Sequence, residues 1–117
     1  MKRHTVTYKT FDVVVVPFPF TDRATTKRRP ALVLSDAKSF NQPVGQSVLA
    51  MITSAANSAW PLDVNIADLD AAGLTSASII RMKLFTLDHQ LIIRKAGSLA
   101  PQDRDVITKV LKTLLPI

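Results

Sequence analysis

Short apolar segments alternate with polar segments along most of the chain, and a longer periodic segment closes it. Residues 13–16 are four consecutive valines, which are typical of a strand buried on both faces. Residues 62–66 alternate apolar and polar side chains, which indicates a half-buried strand. Pro17 and Pro19 are expected to end the first strand because proline cannot donate to a strand ladder. The predicted strands are 13–16, 31–34, 48–53, 62–66, 78–87 and 91–94.

The segments between these strands predict loops at 21–28 and 36–46, where polar, proline and glycine residues are frequent. Asp68 and Gly73 are suited to cap and to close one helical turn. Residues 101–115 predict the one long helix, which begins at a proline. Its apolar positions at helical spacing are Val106, Val110, Leu111 and Leu114. Several short strands followed by one helix predict a mostly β fold, as an antiparallel barrel or sandwich.

The composition narrows the class of protein. The 117 residues predict a single domain over 1–117. The chain has no cysteine and only two histidines, so disulfides are excluded and neither a metal site nor another cofactor is expected. No apolar run reaches the roughly 18 residues of a membrane helix, so no membrane association is expected. The N-terminus lacks an apolar signal segment, and a cytoplasmic protein is expected.

The charge is strongly positive. Fifteen Lys and Arg stand against nine acidic residues, all of them aspartate, and the sequence pI is about 10.1. Lys27, Arg28 and Arg29 are consecutive and directly precede Pro30 and a predicted strand. A basic domain of this size is suited to a polyanion or to an acidic protein partner. A basic surface that contacts only solvent would have the same composition.

Five blocks of the chain together resemble a known family. They are FDVVVVPFPFTD, KRRPALVLS, LAMITS, AGLTSASIIRMKLFTLD and IIRKAGSL, in this order from residue 11 to residue 99. The chain resembles the MazF/PemK toxin endoribonucleases of type II toxin–antitoxin systems. The resemblance implies a small SH3-like β-barrel of the CcdB/MazF/PemK type with a C-terminal α-helix. It also implies a homodimer, metal-independent cleavage of single-stranded RNA, and a cognate antitoxin protein that silences the toxin.

The resemblance also implies two catalytic residues. The family has a catalytic arginine before the proline that begins the second strand, and this position is Arg29. Its second catalytic position is the Thr or Ser that ends the third strand, and this position is Thr53. In cleavage by the ribose 2′-hydroxyl, the arginine can stabilise charge on the phosphorus, because guanidinium forms two hydrogen bonds to phosphate oxygens. The threonine hydroxyl can position the phosphate or the 2′-hydroxyl.

A wider set of residues is expected to contact the RNA. Arg81 and Lys83 share one face of their strand, and both are interpreted as phosphate ligands. Some relatives carry an acid where this chain has Lys83, so an Arg-plus-Asp catalytic pair cannot be transferred to it. Phe11 is a second departure, since the family usually has glycine there. The predicted RNA-binding residues are Lys27, Arg28, Arg81, Lys83, Phe20 and Ser54.

The sequence identifies no general base. His89 has a suitable pKa for proton transfer, but it lies in a predicted turn between strands, and His4 lies in the polar N-terminal segment. Phe18 and Phe20 could stack on bases or pack in the core or a dimer interface. Trp60 is more often a packed or interface aromatic than a stacking platform.

Two alternative functions remain on the same fold. One is a gyrase poison like CcdB, and the other is a nucleic-acid-binding module without catalytic activity. The Arg29–Pro30 and Ile52–Thr53 pairs favour RNA cleavage over gyrase poisoning. Lys83 keeps the non-catalytic alternative open.

Overall fold

The computed structural model of this protein describes residues 7–18 and 27–117. The strands of these residues are β1 (Asp12–Phe18), β2 (Lys27–Val33), β3 (Gln46–Ser54), β4 (Val64–Asn65), β5 (Ser78–Asp88) and β6 (Arg94–Ser98). The helices are α1 (Gln42–Val44), α2 (Leu69–Ala72) and α3 (Pro101–Leu114), and there are a π-helical turn (Ala37–Asn41) and a 3-10 turn (His89–Leu91).

All described strands join one antiparallel sheet in the order β4-β5-β3-β2-β1-β6. The sheet curls into a half-barrel, and α3 follows it at the C-terminus. This architecture confirms the predicted mostly β fold with a C-terminal helix. No helix of the described chain is both long and apolar enough to cross a membrane.

Each face of the sheet carries its own apolar layer. Val13 and Leu32 belong to the layer that includes Leu99 and Ile107 of the C-terminal segment. Val14 and Val16 are fully buried in the opposite layer; its other members are Tyr8, Ala31, Val33, Leu49, Leu87 and Ile92. The predicted burial on both faces is therefore confirmed for three of the four valines, and Val15 is half-buried.

Pro17 does not end the first strand as predicted, and Pro19 lies outside the described residues. β1 continues through Pro17, and β2 begins at Lys27, four residues earlier than expected. The Val15 carbonyl accepts a 2.8 Å hydrogen bond from the Ile93 N–H, so the polar backbone groups of Val15 point away from β2. Its cross-strand partner Pro30 therefore occupies a non-hydrogen-bonded position of the β1–β2 ladder. The missing N–H therefore costs no bond of the β1–β2 ladder. The Pro30 nitrogen faces β3 instead, and the β2–β3 register pairs only Ala31, Leu32 and Val33.

The last strand is displaced from its predicted position. The 3-10 turn includes residue 91, and β6 begins only at Arg94. Of the apolar residues predicted to form this strand, only Ile92 is buried in the core, whereas Leu91 and Ile93 are exposed. In β6 a Cβ on Gly97 would lie 2.4 Å from the Ala71 carbonyl oxygen. The backbones of β6 and α2 are therefore so close that β6 has no room for a side chain at Gly97.

Two other segments form short helices or helical turns. The predicted loop 36–46 contains the π-helical turn and α1, and the Asp36 side chain caps the former by accepting from the Ser39 N–H at 2.8 Å. The predicted turn at 68–73 is confirmed as α2. Asp68 accepts from the Ala71 N–H, and Gly73 ends the helix in the left-handed region at φ 74°.

Candidate functional site

The sheet register places Arg29 and Thr53 on the same face at neighbouring strand ends. Ala31 of β2 is opposite Met51 of β3. Arg29 and Thr53 each lie two residues from this pair, and side chains two apart in a strand share a face. Both residues are half-buried, and both line the same two adjoining cavities. The structure thus brings together the two residues that the family resemblance marks as catalytic.

The first cavity, the arginine groove, has a volume of about 430 Å³. Its cationic side chains are Arg28 and Arg29 of β2 and Arg94 of β6. Its hydroxyl side chains are Thr53, Ser54, Thr75, Ser76 and Ser78. Within the described chain its lining contains no carboxylate. Guanidinium and hydroxyl donors without a competing anion are the groups that phosphate oxygens accept from.

The second cavity, the aromatic pocket, has a volume of about 170 Å³ and lies on the other side of Arg29 and Thr53. Phe18 and Trp60 supply its aromatic rings, and Lys83 is exposed at its edge. The Lys83 ammonium lies 5.3 Å from the centre of the Phe18 ring, within the range of a cation–π contact. This pocket combines flat apolar surfaces with positive charge.

A local hydrogen bond orients Thr53. The Asn57 amide donates from Nδ2 to Thr53 Oγ1 at 2.5 Å. With this acceptor position filled, the hydroxyl proton of Thr53 is directed to another acceptor. Ser54 accepts from the Ala56 N–H at 3.2 Å, which helps to form the turn that leaves β3. The start of the β3–β4 loop therefore sets the orientation of a predicted catalytic side chain.

Arg81 is not the open phosphate ligand that its strand position suggested. Its Nε donates to Asp63 Oδ1 at 3.1 Å, and its Nη2 donates to Asp63 Oδ2 at 2.9 Å and to the Ser58 carbonyl. Its guanidinium also lies 4.9 Å from the Trp60 ring centre. Both side chains of the Arg81–Asp63 ion pair are only 11% exposed. These hydrogen bonds from Arg81 therefore hold the β3–β4 loop (residues 55–63) against β5.

This ion pair changes the titration of both partners. The hydrogen bond from Arg81 lowers the pKa of the Asp63 carboxyl below its ordinary value, against the opposing effect of burial. The same hydrogen bond raises the pKa of Arg81. Asp63 supplies this carboxylate to Arg81 from the loop between β3 and β4.

The other residues that were considered for the site lie in different parts of the structure. Lys27 and Arg28 are exposed on β2, and Ser54 is exposed in the arginine groove. Phe20 and His4 lie outside the described residues. His89 begins the 3-10 turn, and its Nε2 lies 2.7 Å from Ser47 Oγ. It is not among the lining residues of either cavity in the described chain.

Sequence reasoning missed several lining residues. Arg94 was assigned only to the end of a predicted strand, although it and Lys95 are adjacent basic residues and could have indicated an anion-binding surface. Asn57 was not considered, and Trp60 was interpreted as more often a packed or interface aromatic than a stacking platform; both belong to a loop that has no periodic pattern. The hydroxyls Thr75 and Ser76 reach the site because the loop after α2 returns to the sheet beside β3. Only the fold brings these segments to one surface.

The sequence also matches a family model. The model of the PemK-like, MazF-like toxin of type II toxin–antitoxin systems matches residues 9–115. The chain belongs to this toxin family. Endoribonuclease activity is the general known function of MazF toxins. A search of curated proteins found no significant match.

Solved MazF structures share the fold. The MazE–MazF complex from Deinococcus radiodurans (Form III) superposes with a TM-score of 0.76 at 22% identity, covering 96% of this chain and 99% of that chain. An endoribonuclease in complex with its cognate antitoxin from a mycobacterial species has a TM-score of 0.74 at 16% identity, covering 97% of both chains. The Mycobacterium tuberculosis toxin MazF-mt6 has a TM-score of 0.67 at 16% identity, covering 91% of this chain and 97% of that chain. These likenesses establish the MazF-type fold.

Proposed function

We propose that this MazF/PemK family member is a single-domain toxin that cleaves cytoplasmic single-stranded RNA at a short recognition sequence without a metal ion. The observation that carries the proposal is the position of Arg29 and Thr53. They lie on one face of the sheet at the junction of the arginine groove and the aromatic pocket. A phosphate placed at this junction would have RNA on both sides of it.

The site chemistry favours charge stabilisation. When the ribose 2′-oxygen loses its proton and bonds to the adjacent phosphorus, negative charge increases on the phosphate oxygens. The bond from phosphorus to the 5′-oxygen then breaks and that oxygen takes up a proton, which gives a 2′,3′-cyclic phosphate and a 5′-hydroxyl. Arg29 would hold these oxygens with two hydrogen bonds, and the oriented Thr53 hydroxyl would donate a third. In the described residues neither cavity is lined by a carboxylate or histidine. Positioning and charge stabilisation are thus the contributions that these side chains make.

The same positive surface supports the proposed partners. We propose that a cognate antitoxin silences the chain by laying an acidic segment over the arginine groove, where it would compete with RNA. Two of the similar structures are complexes of a toxin with its antitoxin. A homodimer is the proposed assembly, as in the family.

The test is RNA cleavage by the purified protein in excess EDTA, with mapping of the new 5′ ends. Cuts at one short recurring sequence are expected. Arg29→Ala should abolish them and Thr53→Val should reduce them strongly, while Thr53→Ser, which keeps the hydroxyl, should retain activity. Lys109→Ala is the charge control, because Lys109 is exposed on α3 and lines neither cavity.

The outcomes separate the proposed enzyme from the alternatives. Cleavage that survives Arg29→Ala would exclude the proposed mechanism. RNA that is bound but never cut by the wild-type chain would identify a non-catalytic binding module. Absence of both binding and cleavage would direct attention to a gyrase-poison assay.

A further inference from the structure

Trp60 combines exposure with fixed orientation. Its side chain is 45% exposed, which is high for the largest apolar residue of the chain. Its backbone N–H donates to Asp63 Oδ2 at 2.8 Å, and its ring lies 4.9 Å from the Arg81 guanidinium. An indole that is held on the surface by an ion pair is available to another flat group.

The ion pair fixes the loop as well as the ring. Arg81 reaches across from β5 to Asp63 and to the Ser58 carbonyl, so it holds both sides of the segment that contains Trp60. Ordering a surface loop costs conformational entropy, and here the bonds from one buried arginine offset it. The loop is therefore organised before a ligand arrives, which lowers the cost of binding.

The aromatic pocket has the composition of a nucleobase site. Trp60 and Phe18 both line it, and each ring has a cation over it, Arg81 and Lys83 respectively. Its volume of about 170 Å³ is several times the roughly 30 Å³ of a water molecule. It opens beside Arg29, where the proposed scissile phosphate would lie.

We propose that the aromatic pocket is a nucleobase subsite in which a base next to the scissile phosphate stacks on Trp60. Arg81 and Asp63 act as positioning residues that hold the indole. This inference rests on the proposed RNA cleavage and adds Trp60 as the side chain on which the base stacks. A protein partner is the disfavoured occupant, because lysine is depleted in protein interfaces, whereas Lys83 lines this pocket.

The experiment uses the fact that Trp60 is the only tryptophan of the chain. Wild-type protein is titrated with a short single-stranded 2′-O-methyl oligonucleotide of mixed sequence, which binds but lacks the attacking hydroxyl. A second titration uses an oligonucleotide of the same length in which every base is replaced by an abasic site. Indole fluorescence reports stacking, and anisotropy of a label on the oligonucleotide reports binding. Fluorescence quenching by the first oligonucleotide and not by the second is expected.

Variants of Trp60 test the affinity directly. Trp60→Leu keeps apolarity but removes the ring, and it should weaken binding of the base-containing oligonucleotide by about 5- to 150-fold, the usual loss for one stacked base. Trp60→Phe should restore most of the affinity, and neither change should affect the abasic oligonucleotide. Asp63→Asn should give part of the same loss, with a larger effect on KM than on kcat.

Each outcome decides between explanations. Equal quenching by both oligonucleotides, or unchanged affinity in Trp60→Leu while the wild type binds RNA, would overturn the base subsite alone. A change of oligomeric state in Trp60→Leu, measured by light scattering, would assign the ring to a protein interface and overturn it too. Failure of the wild type to bind either oligonucleotide would overturn the RNA proposal together with the subsite.

Discussion

Asp63 Oδ2 lies 2.9 Å from Arg81 Nη2, and this ion pair joins the β3–β4 loop to β5, the strand that also carries Lys83. Strand position alone indicated that Arg81 would be free to bind phosphate. The partner carboxylate lies 18 residues away in sequence and uses two of the arginine's donors. Arg81 consequently acts on the site through the loop that carries Trp60.

The first prediction concerns acid stability. The hydrogen bond from Arg81 lowers the pKa of Asp63 below the ordinary value of 3.8, so the folded state favours the carboxylate more than the unfolded chain does. This stabilisation is complete above the unfolded pKa and is lost as the pH falls through the lower folded pKa. Asp63→Asn should therefore lower the thermal midpoint near neutral pH, and the wild-type and variant midpoints should converge in acid.

Thermal melts from about pH 7 to about pH 2 provide the measurement. Asp105→Asn, which removes an exposed carboxylate on α3, serves as the control. Curves for wild type and Asp63→Asn that stay parallel down to the lowest pH would show that the pair does not stabilise the fold.

The second prediction concerns Arg94. Arg94→Ala should weaken binding of single-stranded RNA and reduce the slope of log K against log salt by about 0.7, the value for one phosphate contact on a single strand. The reason is its position beside Arg28 and Arg29 in the arginine groove. Binding is measured by anisotropy over a series of salt concentrations. The same loss in Lys109→Ala would reveal a general charge effect and not a groove contact.

The third prediction compares two glycines with nearly identical backbones. Gly73 and Gly45 have φ of 74° and 75°, and replacement by alanine at such an angle costs about 1–2 kcal/mol. A Cβ on Gly73 would also lie 2.0 Å from the Ala96 carbonyl oxygen, whereas a Cβ on Gly45 would meet no heavy atom within 4 Å. Gly73→Ala should be less stable than Gly45→Ala by a further 1–3 kcal/mol or so. Urea unfolding measures the difference, and equal losses would show that β6 can move away.

The fourth prediction concerns His89. Burial lowers the pKa of His89 below its ordinary 6.5, more than the nearby Asp88 and the hydrogen bond with the Gln46 backbone raise it. Its ring also contacts Ser47 and the edge of Tyr8. Below about pH 6.5 the unfolded chain binds a proton that the folded state does not, so stability falls as the pH is lowered through that region.

Urea unfolding at a series of pH values measures this effect. His89→Gln should be less pH-dependent than wild type between about pH 7 and pH 5, since glutamine does not titrate. An identical pH dependence in the two proteins would mean that His89 is as accessible to protons in the folded state as in the unfolded chain.

Much of the fold could be predicted from local patterns. The valine run, the capped turn at α2 and the helix that begins at Pro101 were all recognisable, because burial periodicity and capping depend on neighbouring residues. The prolines and the last strand were not. Whether Pro30 interrupts a ladder depends on which side of β2 its nitrogen faces, and this is fixed by the pairing of β1 with β6.

The candidate site could also be predicted only in part. The family resemblance marked Arg29 and Thr53, and the order of the strands places them together. Arg94 joins them from a distant segment, and Asn57 and Trp60 join them from the loop after β3, which carries no motif of its own.

The sequence by itself determined the basic character of this protein, its mostly β fold with a final helix, and its membership of a toxin family. The first two properties follow from composition and from short-range order, which a linear chain displays directly, and the family membership follows from the match of the sequence to the family model. Only the tertiary structure decided that Arg81 is held by Asp63, that Arg94 faces the arginine groove, and that Trp60 stands exposed beside Arg29. The partner of a side chain depends on which segments the curled sheet brings into contact, and spacing along the chain does not contain that information.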